Sequence, residues 1–283
     1  LLALTLALLP TAALADDAAE TVTWIEISNL DYFTKLDKPY FIEPDGNYKL
    51  MNDIALGDVL CIGYGGAGAT VTLDLNGHTL TATHQYAHTL SINQNSSLTL
   101  VDSVGGGSVV SPNGTAVKVY TNAGFTLASG EISGGVVVGG GNLSNNATTA
   151  FTMKGGSITG GLTADGKTTI NLNDGTVDGI WLENNSTLYA NGGTVTGSCT
   201  IYGTVLQQDN TEGTVFEGTV TGTLGGEEIT GIGTKNSPYE LTTAAELKAF
   251  RNLVNSATAQ SRTNSACAVL MNDIDLENEP WSP

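Results

Sequence analysis

The sequence predicts an all-β fold: a right-handed parallel β-helix (β-solenoid) with short capping elements and a C-terminal helix that opens a second module. Two observations support this prediction. The pattern Gly-x-(Ile/Val)-x-Gly recurs at intervals of 26, 19, 18 and 25 residues, and apolar and polar residues alternate within each copy as on a half-buried strand. The five copies span residues 130–134, 156–160, 175–179, 193–197 and 218–222.

Residues at the same offset in successive copies are expected to form columns, because parallel strands stack about 4.8 Å apart along a solenoid. Three offsets are apolar and predict inward-facing columns: the centre of each copy, seven residues before it and four residues after it. The predicted columns are Ile132, Ile158, Val177, Val195 and Val220; Phe125, Phe151, Ile170 and Leu188; and Val136, Leu162, Trp181, Cys199 and Leu224.

Two members of the last column have an alternative role. An exposed Trp181 would be a sugar-stacking platform, but its apolar column mates favour core packing. Cys199 is interpreted as a buried small hydrophobe rather than a nucleophile. The chain has three cysteines, which excludes a disulfide framework as the source of stability.

The same alternation extends upstream, so residues 46–228 are predicted to form the β-helix, with roughly eight coils. Residues 16–45 are assigned to an N-terminal cap segment. Residues 1–15 combine an apolar run with Ala13-Leu14-Ala15, which is typical of a secretory signal peptide, so the mature chain is expected to begin at Asp16. This predicts a secreted or cell-surface protein with no membrane span in the sequence.

Residues 229–283 are predicted to contain a linker, a capping helix and the start of a second β-helix module that continues beyond the sequence. Leu50–Leu56 returns as Leu270–Leu276 with six of seven residues identical, and Pro39-Tyr40 returns as Pro238-Tyr239. Between the latter pair and the repeat, Thr243-Ala-Ala-Glu246 is a capping box, and apolar residues follow it at helical spacing. We expect this helix to cover an open end of the second solenoid.

The net charge of the chain excludes some classes of binding partner. Ten Lys and Arg residues face 28 Asp and Glu residues, and the formal net charge is −18. Such a protein repels nucleic acid and anionic membranes. Within residues 61–225 the basic residues are Lys118, Lys154 and Lys167.

No metal site and no cofactor are predicted. His78, His84 and His88 lie within 11 residues, but the surrounding alternation indicates a strand and a corner, on which their side chains would not converge. Asp165, Asp174 and Asp178 are weak candidates for a carboxylate or Ca²⁺ site, since single Asp residues at corners more often form turns.

Exposed tyrosines are the weak candidates for a ligand surface, and the residues are Tyr120, Tyr189 and Tyr202. A further alternative is an ice-binding surface, because Thr194 and Thr196 are expected to lie beside Thr219 and Thr221 of the adjacent coil. Only these two copies carry both threonines, whereas the outward threonines also suit β-structure in general.

Three segments resemble a known group: Leu73-Asp-Leu-Asn-Gly-His-Thr-Leu, the Gly-x-Ile-x-Gly coils, and residues 237–247 with 270–281. Together they are similar to bacterial secreted or cell-surface proteins, including adhesin-like ones, with right-handed parallel β-helices of the pectin-lyase-like type. The resemblance implies the fold. The group also includes polysaccharide lyases and hydrolases, so fold does not select the activity.

The resemblance implies that a lyase of this fold would use Arg or Lys as base, often with Ca²⁺ on an Asp cluster, and that a hydrolase would use an Asp pair. The chain has its Asp-Asp pair at Asp16-Asp17, at the expected mature N-terminus. We therefore expect a non-catalytic module that binds extracellular glycans or surface proteins of host or neighbouring cells, or that acts as a spacer. The alternative is a lyase or glycoside hydrolase whose catalytic residues lie outside this sequence.

Overall fold

A computed structural model describes residues 22–35, 40–42, 44–64, 66–83, 88–139, 148–208, 211–256 and 266–276. It is a parallel β-solenoid of about eight turns with a C-terminal helix, which confirms the predicted fold class. The predicted signal peptide, residues 1–15, lies outside the described residues, as do His84 and the Asp16-Asp17 pair.

Parallel pairing between successive turns produces three stacks of strands. The first stack contains β1 (Trp24–Ile27), β4 (Gly46–Leu50), β7 (Thr70–Asp74), β10 (Ser97–Val101), β12 (Gly124–Leu127), the first halves of β14 (Thr149–Ile158) and β16 (Thr168–Val177), β18 (Thr187–Ala190) and β21 (Thr204–Leu206). The second contains β5 (Ile54–Leu56), β8 (Thr79–Ala82), the first parts of β11 (Ser108–Val119) and β13 (Glu131–Val138), the ends of β14 and β16, β19 (Thr194–Val195) and β22 (Val215–Phe216).

The third stack contains β3 (Tyr40–Ile42), β6 (Leu60–Ile62), β9 (Leu90–Ile92), the ends of β11 and β13, β15 (Leu162–Ala164), β17 (Ile180–Leu182), β20 (Cys199–Ile201) and β23 (Val220–Leu224). Short elements complete the chain: a 3₁₀ helix (Leu30–Tyr32), β2 (Thr34–Lys35), β24 (Glu227–Thr230), β25 (Tyr239–Leu241), helix α1 (Ala244–Val254) and β26 (Ala268–Leu270). The inward side chains of all three stacks form one continuous apolar core.

Two of the predicted inward columns are confirmed in their register over four turns. Phe125, Phe151, Ile170 and Leu188 are successive partners in the first stack, and Ile132, Ile158, Val177 and Val195 are successive partners in the second. All eight side chains are buried. Stacking identical or similar apolar side chains at every turn excludes water from the core without disulfides, and the cysteines of the described residues are free.

The third predicted column is wrong at Trp181, whereas Leu224 is buried as predicted but Val220 replaces it as the partner of Cys199. Ile180 is the residue that pairs with Leu162 and Cys199, and Trp181 therefore faces outward. The cause is a shorter corner: three positions separate Val177 from Ile180, whereas four separate the corresponding residues of the other turns. A slip of one residue moves a side chain to the opposite face of a strand. Cys199 is buried, as predicted.

The fifth copy of the repeat is also displaced from its predicted column. Phe216, not Val220, pairs with Val195 in the second stack, and Val220 instead pairs with Cys199 in the third. The threonine pairs are displaced with it, because Thr194 lies beside Val215 and Thr221 lies beside Thr200. The two threonine pairs predicted for an ice-binding surface are therefore on different stacks.

The two ends of the solenoid are built differently. Parallel pairing already begins at Trp24, where β1 joins β4, within the segment assigned to an N-terminal cap. At the other end β24 pairs antiparallel with β23. Helix α1, with the predicted capping box, packs Leu247, Phe250 and Leu253 against a small apolar cluster that includes Leu224. At this end, β24 and α1 therefore cover the last strand of the third stack and the apolar residues beside it.

A buried carboxylate holds two successive turns together near residue 74. The Oδ1 atom of Asp74 accepts hydrogen bonds from the amides of Asn76 (2.9 Å) and Ser103 (3.0 Å), and its Oδ2 atom accepts one from the Ser103 hydroxyl (2.7 Å). The Lys49 ammonium lies 3.4 Å from Oδ2. Burial opposes ionisation of this carboxyl, but these partners outweigh it and lower its pKa.

The variant Asp74→Asn is expected to lower the free energy of unfolding by about 1–3 kcal/mol at neutral pH, because it removes a charge-assisted network. A carboxyl whose pKa is lowered by folding stabilises the protein above its unfolded pKa of about 3.9 and loses that contribution as the pH falls through the folded value. Urea unfolding measured from pH 7 to pH 2.5 should therefore show the difference between the two proteins shrinking below about pH 4. A difference that is independent of pH would contradict this role for Asp74.

Candidate functional site

One outward-facing column of side chains runs along the whole third stack and contains the candidate binding surface. It is called the outer column below, and its members in order are Phe41, Cys61, Ser91, Lys118, Val137, Thr163, Trp181, Thr200 and Thr221. Because each strand of the stack pairs in register with the next, these side chains lie about 4.8 Å apart on a rigid surface.

The N-terminal part of the outer column is covered. Phe41, Cys61 and Ser91 are buried, and the Tyr64 ring packs edge-on against Phe41 with 4.6 Å between ring centroids. His88 closes the same region through a hydrogen bond between its Nε2 atom and the Ser91 hydroxyl. Burial raises the pKa of the Cys61 thiol to about 11, so this group is protonated and unreactive at neutral pH.

The C-terminal part of the outer column is open and is centred on Trp181. The Trp181 side chain is 45% exposed and lies between Thr163 and Thr200 of the neighbouring turns. Its indole meets the Tyr202 ring edge to face, with centroids 5.9 Å apart and an interplanar angle of 75°. This contact fixes the orientation of the indole, since such aromatic pairs have a preferred geometry.

Tyr202 is itself held by a carboxylate. Its hydroxyl donates a 2.8 Å hydrogen bond to Oε1 of Glu228 on β24, the strand that closes the end of the stack. This hydrogen bond to the carboxylate raises the pKa of Tyr202, and the phenol therefore stays protonated. We refer to Thr163, Trp181, Thr200, Tyr202 and Glu228 together as the Trp181 platform.

A groove of about 420 Å³ adjoins the platform at the corner between the second and third stacks, and Thr163 lines it. Half of its ten lining residues are glycines, and two of them, Gly134 and Gly160, close copies of the repeat; the glycines are Gly114, Gly134, Gly135, Gly160 and Gly161. A Cβ atom on Gly160 would overlap the backbone of Gly134 in the preceding turn. The glycines therefore permit close stacking of the turns and leave a shallow channel between threonine hydroxyls.

The platform and groove place a flat apolar indole beside Thr hydroxyls, a carboxylate and the backbone of the corner. Groups of these kinds can stack on the apolar face of a ring and form hydrogen bonds with hydroxyl groups. All of these groups stand on strands or at tight corners, so binding does not require them to become ordered.

The structure places the three tyrosines predicted as ligand candidates in different regions. Tyr202 belongs to the platform, whereas Tyr189 lies in the first stack between Asn171 and Leu206. Tyr120 is exposed at the corner that follows β11. The assignment of Tyr120 and Tyr189 as binding residues remains a prediction, and it is an alternative to binding at the Trp181 platform.

The acidic candidates are distributed along separate corners. Asp165 follows β15 and Asp178 follows β16, while Oδ1 of Asp174 accepts a 2.7 Å hydrogen bond from the next amide, that of Gly175. His78 faces Asp53, with 3.4 Å between Nδ1 and Oδ1. Among the residues that the structure describes, no group of three His, Cys, Asp or Glu side chains is arranged to hold a metal ion.

The sequence analysis placed Trp181 in the core rather than on the surface. It also did not identify Glu228, which holds the Tyr202 hydroxyl through a hydrogen bond. A signal for Trp181 was present, because Ile180 is an alternative apolar residue for the inward column. Glu228 had no such signal, since its contact with Tyr202 spans 26 residues and depends on the reversal between β23 and β24.

Comparison with models of protein families, with curated proteins and with solved structures found no match. The fold therefore defines the class, a parallel β-solenoid. Within that described part of the chain, no helix has the length and apolar composition needed to cross a membrane.

Proposed function

We propose that this protein is a non-catalytic glycan-binding module and that the Trp181 platform is its binding surface. The observation that supports the proposal is the exposure of Trp181, at 45%, in a column of threonines on a rigid parallel stack. An indole that is exposed and oriented by Tyr202 offers a flat apolar face on which a sugar ring can stack.

The charge of the protein favours neutral glycans over polyuronates. The net charge is −18, and the platform itself carries Glu228, so a chain of carboxylated sugars would be repelled. Neutral hexose or N-acetylhexosamine units present the apolar ring face and the hydroxyls that the platform matches. Repeated turns offer weak contacts along one face, which suits multivalent binding to a polymer.

The expected location is consistent with this ligand class. The signal peptide pattern at residues 1–15 directs the chain out of the cell, where glycans of host or neighbouring cells are exposed. The resemblance to bacterial surface proteins with pectin-lyase-like β-helices also supports an extracellular location. We therefore propose an adhesin-like role for this glycan-binding module. Proteins on such cell surfaces are a second class of partner that carries the same sugars.

The variant Trp181→Ala is expected to weaken binding to neutral glycans on an array, or to mucin, by about tenfold or more, because it removes the central stacking surface. Tyr202→Phe should have a smaller effect, since it keeps the ring and removes the hydrogen bond to Glu228. The matched control is Tyr120→Ala, which removes an exposed aromatic residue from a different corner and should leave binding unchanged.

Thermal unfolding of all three variants separates a binding effect from a folding effect, because Trp181 makes few core contacts and its loss should leave the melting temperature nearly unchanged. Equal loss of binding in Trp181→Ala and Tyr120→Ala, or no binding by the parent protein, would contradict the proposal. Release of cleavage products from polygalacturonate, alginate or neutral plant glycans would instead favour the lyase or hydrolase function.

A further inference from the structure

The last pair of parallel strands repeats the first pair of the solenoid. In the first pair β1 joins β4 with Ile27 opposite Leu50, and in the last pair β25 joins β26 with Leu241 opposite Leu270. Leu50 and Leu270 are the first residues of the two copies of the repeated sequence Leu-Met-Asn-Asp-Ile-x-Leu. The sequence repeat is therefore also a repeat of strand register.

The hydrogen bonds of the two copies are the same. The Met51 amide donates to the Ile27 carbonyl and the Met271 amide donates to the Leu241 carbonyl, both at 2.9 Å. Nδ2 of Asn52 donates to the Ser28 carbonyl at 3.1 Å, and Nδ2 of Asn272 donates to the Thr242 carbonyl at 3.2 Å. The repeated Met and Asn thus perform one local role twice, which is to fix the corner after the second strand.

The elements between the paired strands are equivalent as well. Asn29 caps the 3₁₀ helix after β1, and Thr243 caps α1 after β25. This register corrects the pairing of Pro238-Tyr239 with Pro39-Tyr40, because the residue equivalent to Tyr239 is Ile25. Measured between paired residues, the interval is 23 residues in the first copy and 29 in the second, in which α1 takes the place of the 3₁₀ helix.

In the first copy the following turn covers the outer edge of β4. Strand β7 pairs with β4, and Nδ2 of Asn76 donates a 3.0 Å hydrogen bond to the Leu50 carbonyl. Oδ1 of Asp53 accepts a 2.9 Å hydrogen bond from the Thr79 amide. Leu50 is consequently 0% exposed.

In the second copy the same groups are present but uncovered. Leu270 is 57% exposed, Val269 and Met271 beside it are also exposed, and so is Asp273, the equivalent of Asp53. In the described part of the chain, β26 pairs with β25 alone, and no described strand lies along its other edge. An exposed apolar strand edge readily accepts another strand.

We infer that the open edge of β26 is the docking edge for the next coil of a second solenoid unit. The occupant is a parallel strand and turn with the pattern Leu-x-Leu-Asn-Gly-x-Thr-Leu, the pattern of residues 73–80. Its Asn reaches the Leu270 carbonyl, its Thr amide reaches Asp273, and its leucines cover Leu270. This inference is independent of glycan binding, since it concerns a different strand, β26, and a polypeptide partner.

The test is a variant in which a copy of residues 69–83 is joined to the C-terminus of the protein through a flexible Gly/Ser linker, which keeps the occupant at high effective concentration. Hydrogen exchange of the segment 266–276 is expected to slow by at least about tenfold relative to the parent. In the tethered variant Asp273→Ala should reverse the protection, as should Asn76→Ala made in the appended copy only.

Two controls make the result specific. Asp275→Ala replaces the neighbouring carboxylate at the position equivalent to Ala55, so it should preserve the protection. A tether with the same residues in scrambled order should give none. The inference is overturned if the tether leaves exchange unchanged, if the scrambled tether protects equally, or if the parent protein shows concentration-dependent protection of 266–276, which would mean that a second copy occupies the edge.

Discussion

Replacing Val177 by Asp is expected to lower the free energy of unfolding by more than about 3 kcal/mol and to open the neighbouring turns. Val177 is fully buried, and it lies between Ile158 and Val195 in the inward column of the second stack. A carboxylate in this position has no partner from the turn above or the turn below, so it must be buried unpaired or drive the turns apart.

The matched control is Thr176→Asp on the same strand, because Thr176 is the adjacent outward residue and is exposed. Urea unfolding followed by far-ultraviolet circular dichroism should leave this control within about 0.5 kcal/mol of the parent. Val177→Ala, which makes a cavity without adding a charge, should be intermediate. If Val177→Asp unfolds at the same urea concentration as Thr176→Asp, the register described for the second stack is wrong.

Replacing Gly197 by Ala is expected to destabilise the protein by about 1–3 kcal/mol although it adds a single methyl group. Gly197 closes the fourth copy of the repeat, and a Cβ atom at this position would overlap the carbonyl oxygen of Asp178 in the preceding turn. The obstacle is backbone rather than a flexible side chain, so relief requires the two turns to separate at the corner.

Gly124→Ala is the control, because Gly124 lies within β12 and its nearest contact for a new Cβ atom is Ser97, at an ordinary 3.7 Å. Alanine there should be neutral or slightly stabilising, since it reduces the freedom of the unfolded chain. The two variants can be compared by their unfolding midpoints at equal slope. Similar stability of both would show that the turns do not approach closely at the glycine corner.

The inward columns could be predicted where the offset between a column residue and the centre of its own copy stays constant, here at seven residues. Phe125, Phe151, Ile170 and Leu188 obey this condition, and the structure confirms their register. The prediction became wrong at Trp181, where the corner is shorter by one residue. In a period-two structure that single residue decides between core and solvent, and the pattern of apolar residues alone does not reveal where a corner is shortened.

The candidate site was less accessible to sequence reasoning than the core. Tyr202 was chosen as an exposed tyrosine without a partner, whereas its significance depends on Trp181 beside it and Glu228 beneath it. Those three residues come from successive turns and from a reversed strand. Stacking brings these residues together because they lie about one turn apart. Predicting that proximity from the sequence requires the length of every intervening corner.

The sequence was sufficient to determine that the chain forms a parallel solenoid with glycine corners, an apolar interior and a capped helix near its C-terminal part, because these features repeat and depend on local spacing. It was also sufficient for the duplicated Leu-Met-Asn-Asp corner. The exposed position of Trp181, the shift of the fifth copy and the open edge of β26 became evident from the three-dimensional arrangement alone. The physical reason is that each depends on which strands are neighbours, and register accumulates every insertion and deletion along the preceding turns.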